Sequence, residues 1–133
     1  MLKDEGYQLM GAAFEVYNQL GYGMAEEIYQ QSLEIELELR GIPFKSKHEL
    51  AMFYKDRRLV TYYKPDLFVF DAIVVELKAA TELVVEHEAQ LFNYQRIARQ
   101  PVGYLINFGH KEELQWKRFI LSDLRNGPNI DLR

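Results

Sequence analysis

Three side chains near the middle of the chain have the types and spacing for joint chemistry: Asp66, Glu76 and Lys78, within the run PDLFVFDAIVVELKA. Glu76 and Lys78 are two apart. On a strand, alternate residues leave the same face, so these two share one side while Val75, Leu77 and Ala79 take the other. Whether Asp66 joins them is decided by the turn between the two runs, because directly opposed residues of an antiparallel pair share a face. A two-residue loop, Asp71-Ala72, pairs Phe70 with Ile73 and sets Asp66 against Leu77, on the wrong face. A three-residue loop from Phe70 to Ala72 pairs Val69 with Ile73 and sets Asp66 against Glu76. A shared site therefore demands an odd register or a bulge.

Two carboxylates opposed on a strand pair cost ~0.2–1 kcal/mol, and more when partly buried, so a cation is expected between them. Lys78 supplies one. A hard divalent ion, Mg²⁺ or Mn²⁺, is the natural second, since such ions take carboxylate and water oxygens beside a substrate phosphate. That combination polarises phosphate and acidifies water, while a neighbouring ammonium orients the water or stabilises charge. The competing reading is a surface ion pair between Glu76 and Lys78, with Asp66 merely near a turn. Ile73-Val74-Val75 before the pair and Ala79-Ala80 after it favour a central strand, where purposeless charge is costly.

The elements that must position these residues can be read from periodicity and stop signals. Residues Lys3 to Leu20 place Tyr7, Met10, Phe14 and Tyr17 at helical spacing and end in Gly21-Tyr22-Gly23. A second helix runs from Ala25 to Arg40, closed by Gly41 and Pro43. Its apolar residues Ile28, Tyr29, Leu33, Ile35, Leu37 and Leu39 cover more than one stripe, so it is expected to pack on both a sheet and the first helix. After Pro43 the period becomes two. Leu50, Met52 and Tyr54 alternate with Glu49, Ala51 and Phe53 up to a turn at Lys55-Asp56-Arg57, and Arg58 to Phe70 and Ile73 to Ala79 follow. These three strands are expected as a meander at the sheet's centre. Val84 to Arg99 reads as a third helix, with Leu91, Tyr94, Ile97 and Ala98 on its apolar face. Val102 to Phe108 is a short strand; Leu114, Trp116, Phe119 and Leu121 suggest a last one, with a helix as the close alternative. The tail, 123–133, has turn chemistry and is expected to fray beyond a single domain of residues 1–122.

Composition narrows the classes. The chain has 133 residues, 48% hydrophobic and 14% aromatic, enough for one core. Cysteine is absent, which excludes disulfides, thiolate metal sites and thiol nucleophiles. No apolar run approaches a membrane span and the N-terminus has no signal-like apolar region, so a cytoplasmic location is the default. The net charge of −4 argues against adhesion of nucleic acid over the whole surface, yet charge is unevenly spread. Between Lys45 and Lys64 six basic residues (Lys45, Lys47, Lys55, Arg57, Arg58, Lys64) face two acidic ones (Glu49, Asp56), while Glu26 to Arg40 is strongly acidic. Solvated faces of ordinary elements would give the same picture.

Asp66, nine residues, Glu76, one residue and Lys78, with Pro65 in front, resemble the motif of the PD-(D/E)XK nuclease superfamily. Gly23-Met24-Ala25-Glu26-Glu27-Ile28-Tyr29 is similar to the pattern of the bacterial GxxExxY family, as is His87-Glu88-Ala89-Gln90, and the likeness spans about Gly11 to Leu121. The resemblance implies an α/β (α+β), restriction-endonuclease-like fold: a helix, a three-stranded antiparallel meander, a helix and further strands, giving a central mixed sheet flanked by helices. It implies that Asp66 and Glu76 bind metal, with the Leu77 carbonyl as a further ligand and Lys78 as the catalytic lysine. Glu26 matches the acidic residue that many members add to the metal site; an ordinary first-turn glutamate is the alternative, and Glu27 its nearest rival. Gln90 and Tyr94, four apart on one helix face, are similar to a Q-x-x-x-Y element adjoining the active site, although a buried Tyr94 with Gln90 at its rim gives the same spacing. His87, one turn earlier, is a candidate phosphate contact or a structural helix-start residue.

The function expected from these residues is Mg- or Mn-dependent hydrolysis of nucleic-acid phosphodiester bonds, with Lys45, Lys47, Arg57, Arg58 and Lys64 as candidate backbone contacts. The alternative is a catalytically silent module of the same fold that binds nucleic acid or a partner protein. So short a body has no inserted recognition domain, and a homodimer would widen its basic surface. A purely structural role, in which the charges only fix strand register, is the third class.

Overall fold

Two helices open the chain and cover one side of a sheet. In the computed structural model, which describes residues 1–122 and the strand at 128–131, α1 (Lys3–Leu20) buries Leu9, Met10, Ala12, Ala13 and Val16. It stops at Gly21, whose φ of 69° is in the left-handed region that glycine tolerates. Helix α2 (Glu26–Leu39) buries Tyr29, Leu33 and Leu37, four apart and hence on one stripe, together with Gln30. That single stripe meets both α1 and the sheet. The broader apolar surface expected of this helix is not used: Ile28, Ile35 and Leu39 are exposed.

The strands are β1 (Phe44–Ser46), β2 (Leu50–Tyr54), β3 (Arg57–Tyr63), β4 (Leu67–Val69), β5 (Ile73–Lys78), β6 (Val102–Asn107), β7 (Gln115–Leu121) and β8 (Pro128–Asp131), with α3 (Val85–Ala98) between β5 and β6. Six of them form one sheet in the order β1-β4-β5-β6-β7-β8. β5 and β6 are parallel and the other neighbours antiparallel, so the sheet is mixed, as expected. Five of the six residues of β5 and all six of β6 are buried, which is why both read as near-continuous apolar runs.

The meander differs from expectation in composition. The antiparallel trio is β1, β4 and β5; β2 and β3 pair only with each other, as a separate ribbon. The run from Arg58 to Phe70 is therefore two strands. Pro65 has no N–H for a ladder, and the Asp66 N–H is given to the Glu76 side chain at 3.2 Å, so pairing breaks there. β1 was hidden because three residues carry no readable period. Part of the tail also joins the fold: Pro128–Asp131 pairs with β7, which corrects the expected fraying there, while 123–127 and 132–133 lie outside the described residues.

The two sheet faces are packed separately. Leu67, Val69, Ile73, Val75, Leu77, Tyr104 and Ile106 meet α1 and α2. Val74, Leu105 and Phe119 on the opposite face meet Leu91 of α3, with Phe92 and Tyr94 at its edge. Glycine lets the elements close: a Cβ on Gly109 would fall 2.4 Å from the Ala80 carbonyl oxygen, so the end of β6 can approach the end of β5 only without a side chain there. Among the described residues no helix is long and apolar enough to cross a membrane.

Candidate metal and nucleic-acid site

The turn between β4 and β5 has the odd register that a shared site requires. Val69 pairs with Ile73, Phe68 with Val74 and Leu67 with Val75, so the next residues outward are Asp66 and Glu76. The loop has Phe70 and Asp71 at φ 57° and 54°, held by an Ala72 N–H bond to the Val69 carbonyl at 3.1 Å. Asp71 also pairs with Lys45 at 3.2 Å.

Asp66, Glu76 and Lys78 thus lie on the face covered by α3. Glu76 is only 5% exposed, which overturns the surface ion-pair reading. Its Oε1 accepts from the Tyr63 hydroxyl at 3.1 Å and from the Asp66 N–H at 3.2 Å. Asp66 Oδ2 accepts from the Leu77 N–H at 2.7 Å. Each carboxylate thereby commits one oxygen to a fixed donor. Burial, and then the charge of Asp66, push the Glu76 carboxyl up to about 9. Asp66 is raised too, by burial, against the opposing pull of Leu77, Glu76, Lys47 and Lys78.

Lys78 does not neutralise the pair. Its Nζ donates to Gln90 Oε1 at 3.0 Å, and among the described residues no ion pair joins it to Asp66 or Glu76. The expectation that Lys78 is the cation between the carboxylates is corrected: α3, through Gln90, holds the ammonium to one side. Tyr94, four residues on, packs against Tyr63 with ring centroids 3.4 Å apart. Its hydroxyl is pushed up to about 12 by burial and by Glu76, and Tyr63 is raised further for the same reasons, so both stay neutral hydrogen-bonding groups.

Glu26 stands at the start of α2 and is exposed, yet its carboxyl is raised, first by partial desolvation and next by Asp66, with Lys78 and Lys47 opposing. The charges of Asp66 and Lys78 are thus felt at Glu26. Glu27 instead pairs with Lys47 at 3.3 Å and bonds Gln31, which separates the two rivals. The loop before Glu26 is tied by Tyr29, whose hydroxyl donates to the Gly21 carbonyl at 2.5 Å and accepts from the Met24 N–H at 3.2 Å, while its ring stacks on Phe108. Gly23, Glu26 and Tyr29 are thus one local device: a left-handed glycine (φ 99°), an acid at a helix start and a buried anchor.

The six candidate nucleic-acid contacts do not form one patch. Lys47 is nearest the carboxylates, its N–H donating to the Asp66 carbonyl at 3.2 Å. Lys45 is spent on Asp71, Arg57 and Arg58 sit at the far end of the β2–β3 ribbon, and Lys64 is at its base. His87 Nδ1 accepts the Val84 N–H at 3.2 Å, and its basicity is lowered by burial and by Lys78, so it is a neutral helix-start residue beside the cleft.

Three positioning residues escaped the sequence reading. Gln30, buried, donates to the Asp66 carbonyl at 2.9 Å; its i+4 relation to Glu26 was the available signal. Asn107 clamps Ala80 at both its N–H (2.9 Å) and its carbonyl (2.8 Å), fixing the strand end just beyond Lys78. Tyr63, at the end of β3, donates its hydroxyl to Glu76 at 3.1 Å. A groove of about 600 Å³ between α1, Tyr104 and Trp116 lies on the sheet face away from Glu76 and Lys78; donor chemistry rather than size marks the site.

Among the described residues, no three or more His, Cys, Asp or Glu side chains are spaced to hold an ion as they stand. The family model of the PD-(D/E)XK nuclease superfamily matches residues 3–119. No curated protein and no solved structure matches the chain.

Proposed function

The chain belongs to the PD-(D/E)XK nuclease superfamily, and from that premise we propose that it hydrolyses nucleic-acid phosphodiester bonds with Mg²⁺ or Mn²⁺ held by Asp66 and Glu76. We place it, more narrowly, among GxxExxY proteins, on the local device formed by Gly23, Glu26 and Tyr29. The observation that carries the proposal is a buried Glu76 beside a half-buried Asp66 with, among the described residues, no cation in ion-pair range of either, although a lysine stands beside them. Such a pair disfavours its own ionisation, and a hard divalent ion is what relieves it.

The donor set fits. Asp66 Oδ1 and Glu76 Oε2 are not engaged by Tyr63 or by the backbone N–H groups of Asp66 and Leu77, Leu77 brings its backbone alongside, and Glu26 is within electrostatic reach. When bound, the ion supplies charge neutralisation at phosphate and acidifies water. Lys78 presents a fixed ammonium where negative charge develops, and Gln90 sets its position. Tyr94 and Tyr63 wall the cleft and keep water off Glu76, the latter by direct hydrogen bonding. Lys47 adds positive charge at the entrance.

Incubating the purified chain with single- and double-stranded DNA and RNA plus Mn²⁺ tests this. Cleavage is expected and should vanish in Lys78→Ala and in Glu76→Ala; cleavage that survives both together would place the activity elsewhere. The spacing of the acidic groups favours one other reading, a silent module of the same fold that binds nucleic acid or a partner protein. Calorimetric titration with Mn²⁺ separates them, since a silent module has no binding that depends on Asp66 and Glu76.

A further inference from the structure

Residues 50–63 leave the six-stranded sheet and fold on themselves as the β2–β3 ribbon. A two-stranded ribbon is marginal alone and needs a face to bury. One face is anchored: Leu50 opposes Tyr63 at the base, and Tyr63 packs on Tyr94 and bonds Glu76. The other is open. Ala51 opposes Tyr62 and Phe53 opposes Arg58, with a shift of register between the two pairs that leaves Val60 without a cross-strand partner. Phe53 is 58%, Val60 99% and Tyr62 44% exposed. Tyr54 and Leu59, on the anchored side, are exposed as well. Apolar residues scattered singly need no explanation, but a cluster on one ribbon does.

Charge identifies what covers it. Of the six basic residues between Lys45 and Lys64, Lys45 and Lys47 are paired with Asp71 and Glu27. Among the described residues Lys55, Arg57, Arg58 and Lys64 make no ion pair. Two of these cations flank the ribbon's own rings, Lys55 Nζ 5.7 Å from the Tyr54 centroid and Lys64 Nζ 5.3 Å from that of Tyr62. Exposed rings beside uncommitted cations match single-stranded nucleic acid, with a flat π-face for each base and a charge for each phosphate. A duplex offers base edges instead, which a ribbon reads with hydrogen-bonding side chains; on the open face only Arg58 and the Tyr62 hydroxyl qualify. A second copy of the chain would bring the same four cations against these four.

The ribbon also ends in the site, since Tyr63 touches Glu76 and is followed by Lys64, Pro65 and Asp66. We propose that the open face of the β2–β3 ribbon is a stacking platform for unpaired bases, so that the substrate is single-stranded nucleic acid, or a single-stranded end, led along the ribbon toward Asp66 and Glu76. The inference rests on the nuclease reading of that site.

Binding and cutting are separated by measuring fluorescence anisotropy of a labelled short oligodeoxythymidylate, and of a DNA duplex of equal length, against the full chain carrying Glu76→Gln in EDTA. The single strand is expected to bind more tightly than the duplex. Phe53→Ala and Tyr62→Ala, each added to that chain, should weaken it by on the order of tenfold, as loss of one stacked base does. Both positions are exposed, so unchanged melting temperatures are expected. Tyr7→Ala, an equally exposed aromatic on α1, should change nothing. If the duplex binds as well as the single strand, or if Phe53→Ala and Tyr62→Ala together leave affinity unmoved, the platform is wrong. A double variant that alters only the sedimentation coefficient would make the ribbon a contact between copies and also overturn it. Binding that behaves as expected while the unsubstituted chain cuts nothing in Mn²⁺ would sink the nuclease reading and leave the platform standing.

Discussion

Replacing Glu76 by Gln should make the metal-free protein more stable, increasingly so as pH rises. Burial and the charge of Asp66 push Glu76 up to about 9 in the folded chain, against about 4.3 for an unperturbed glutamate. Between those values the folded state holds a proton that the unfolded chain has lost, so folding stability falls by ~1.4 kcal/mol for each pH unit climbed and levels off above about pH 9. At pH 7 the accumulated loss is about 3 kcal/mol, and at pH 5 it is under about 1 kcal/mol. Glutamine does not titrate, and it keeps the local bonds: its oxygen can accept from Tyr63 and the Asp66 N–H, and its amide can donate to Asp66. Asp66 then has a dipole rather than a charge beside it. Thermal unfolding in EDTA is the assay. A gain of about 10 °C for Glu76→Gln at pH 7 is the scale expected for a domain of this size, with near coincidence at pH 5. Excess Mn²⁺ should reverse the order, because only the unsubstituted chain gains ligand-linked stability. If Glu76→Gln melts below the unsubstituted protein in EDTA at pH 7 to 8, or if the gap ignores pH, the like-charge argument for the site fails.

Gln90→Leu removes the bond at 3.0 Å to Lys78 Nζ and frees the ammonium to approach the carboxylates. Cleavage should drop by on the order of tenfold to a hundredfold, and the metal-free chain should lose much of its pH-dependent instability, a change that a merely structural glutamine would not produce. Tyr29→Phe keeps the ring stack on Phe108 but strands the Gly21 carbonyl and the Met24 N–H. It should cost about 1–3 kcal/mol in urea unfolding; if Glu26 contributes to the ion, Mn²⁺ affinity by calorimetry should weaken as well, and unchanged affinity would remove Glu26 from the ligand set.

What the sequence made legible depended on how local the signal was. Helix ends at Gly21 and Gly41 follow from single residues, whereas counting leaves the β4–β5 turn two registers, of which only the odd one, with Val69 opposite Ile73, sets Asp66 beside Glu76. The expected long strand from Arg58 to Phe70 failed where a local signal, Pro65, was outweighed by β-rich flanks. The main-sheet strand Phe44–Ser46 could not be seen, because its partner Leu67–Val69 is distant in sequence and three residues show no period. Face parity also cannot say how far a side chain reaches. Lys78 shares a face with Glu76, yet its partner is Gln90, brought from α3 by packing of Leu91 on Leu105 and Phe119.

That partner explains why the pair stays unsatisfied. A lysine salt-bridged to Glu76 would balance one carboxylate, lower both acids toward their ordinary range and leave little reason for a metal to enter. Gln90 is uncharged, so it occupies the ammonium without competing for the carboxylates, and Gln30 and the Leu77 N–H fix Asp66 without adding positive charge. The hydrogen bonds that reach the two carboxylates come from neutral donors: the Tyr63 hydroxyl and the backbone N–H groups of Asp66 and Leu77. Neutral donors orient a carboxylate but do not cancel its charge, so burial leaves both groups raised, Glu76 further by the charge of Asp66. On the proposed metal-dependent reading, the carboxyl geometry is built in advance and the neutralising charge is left to the ion.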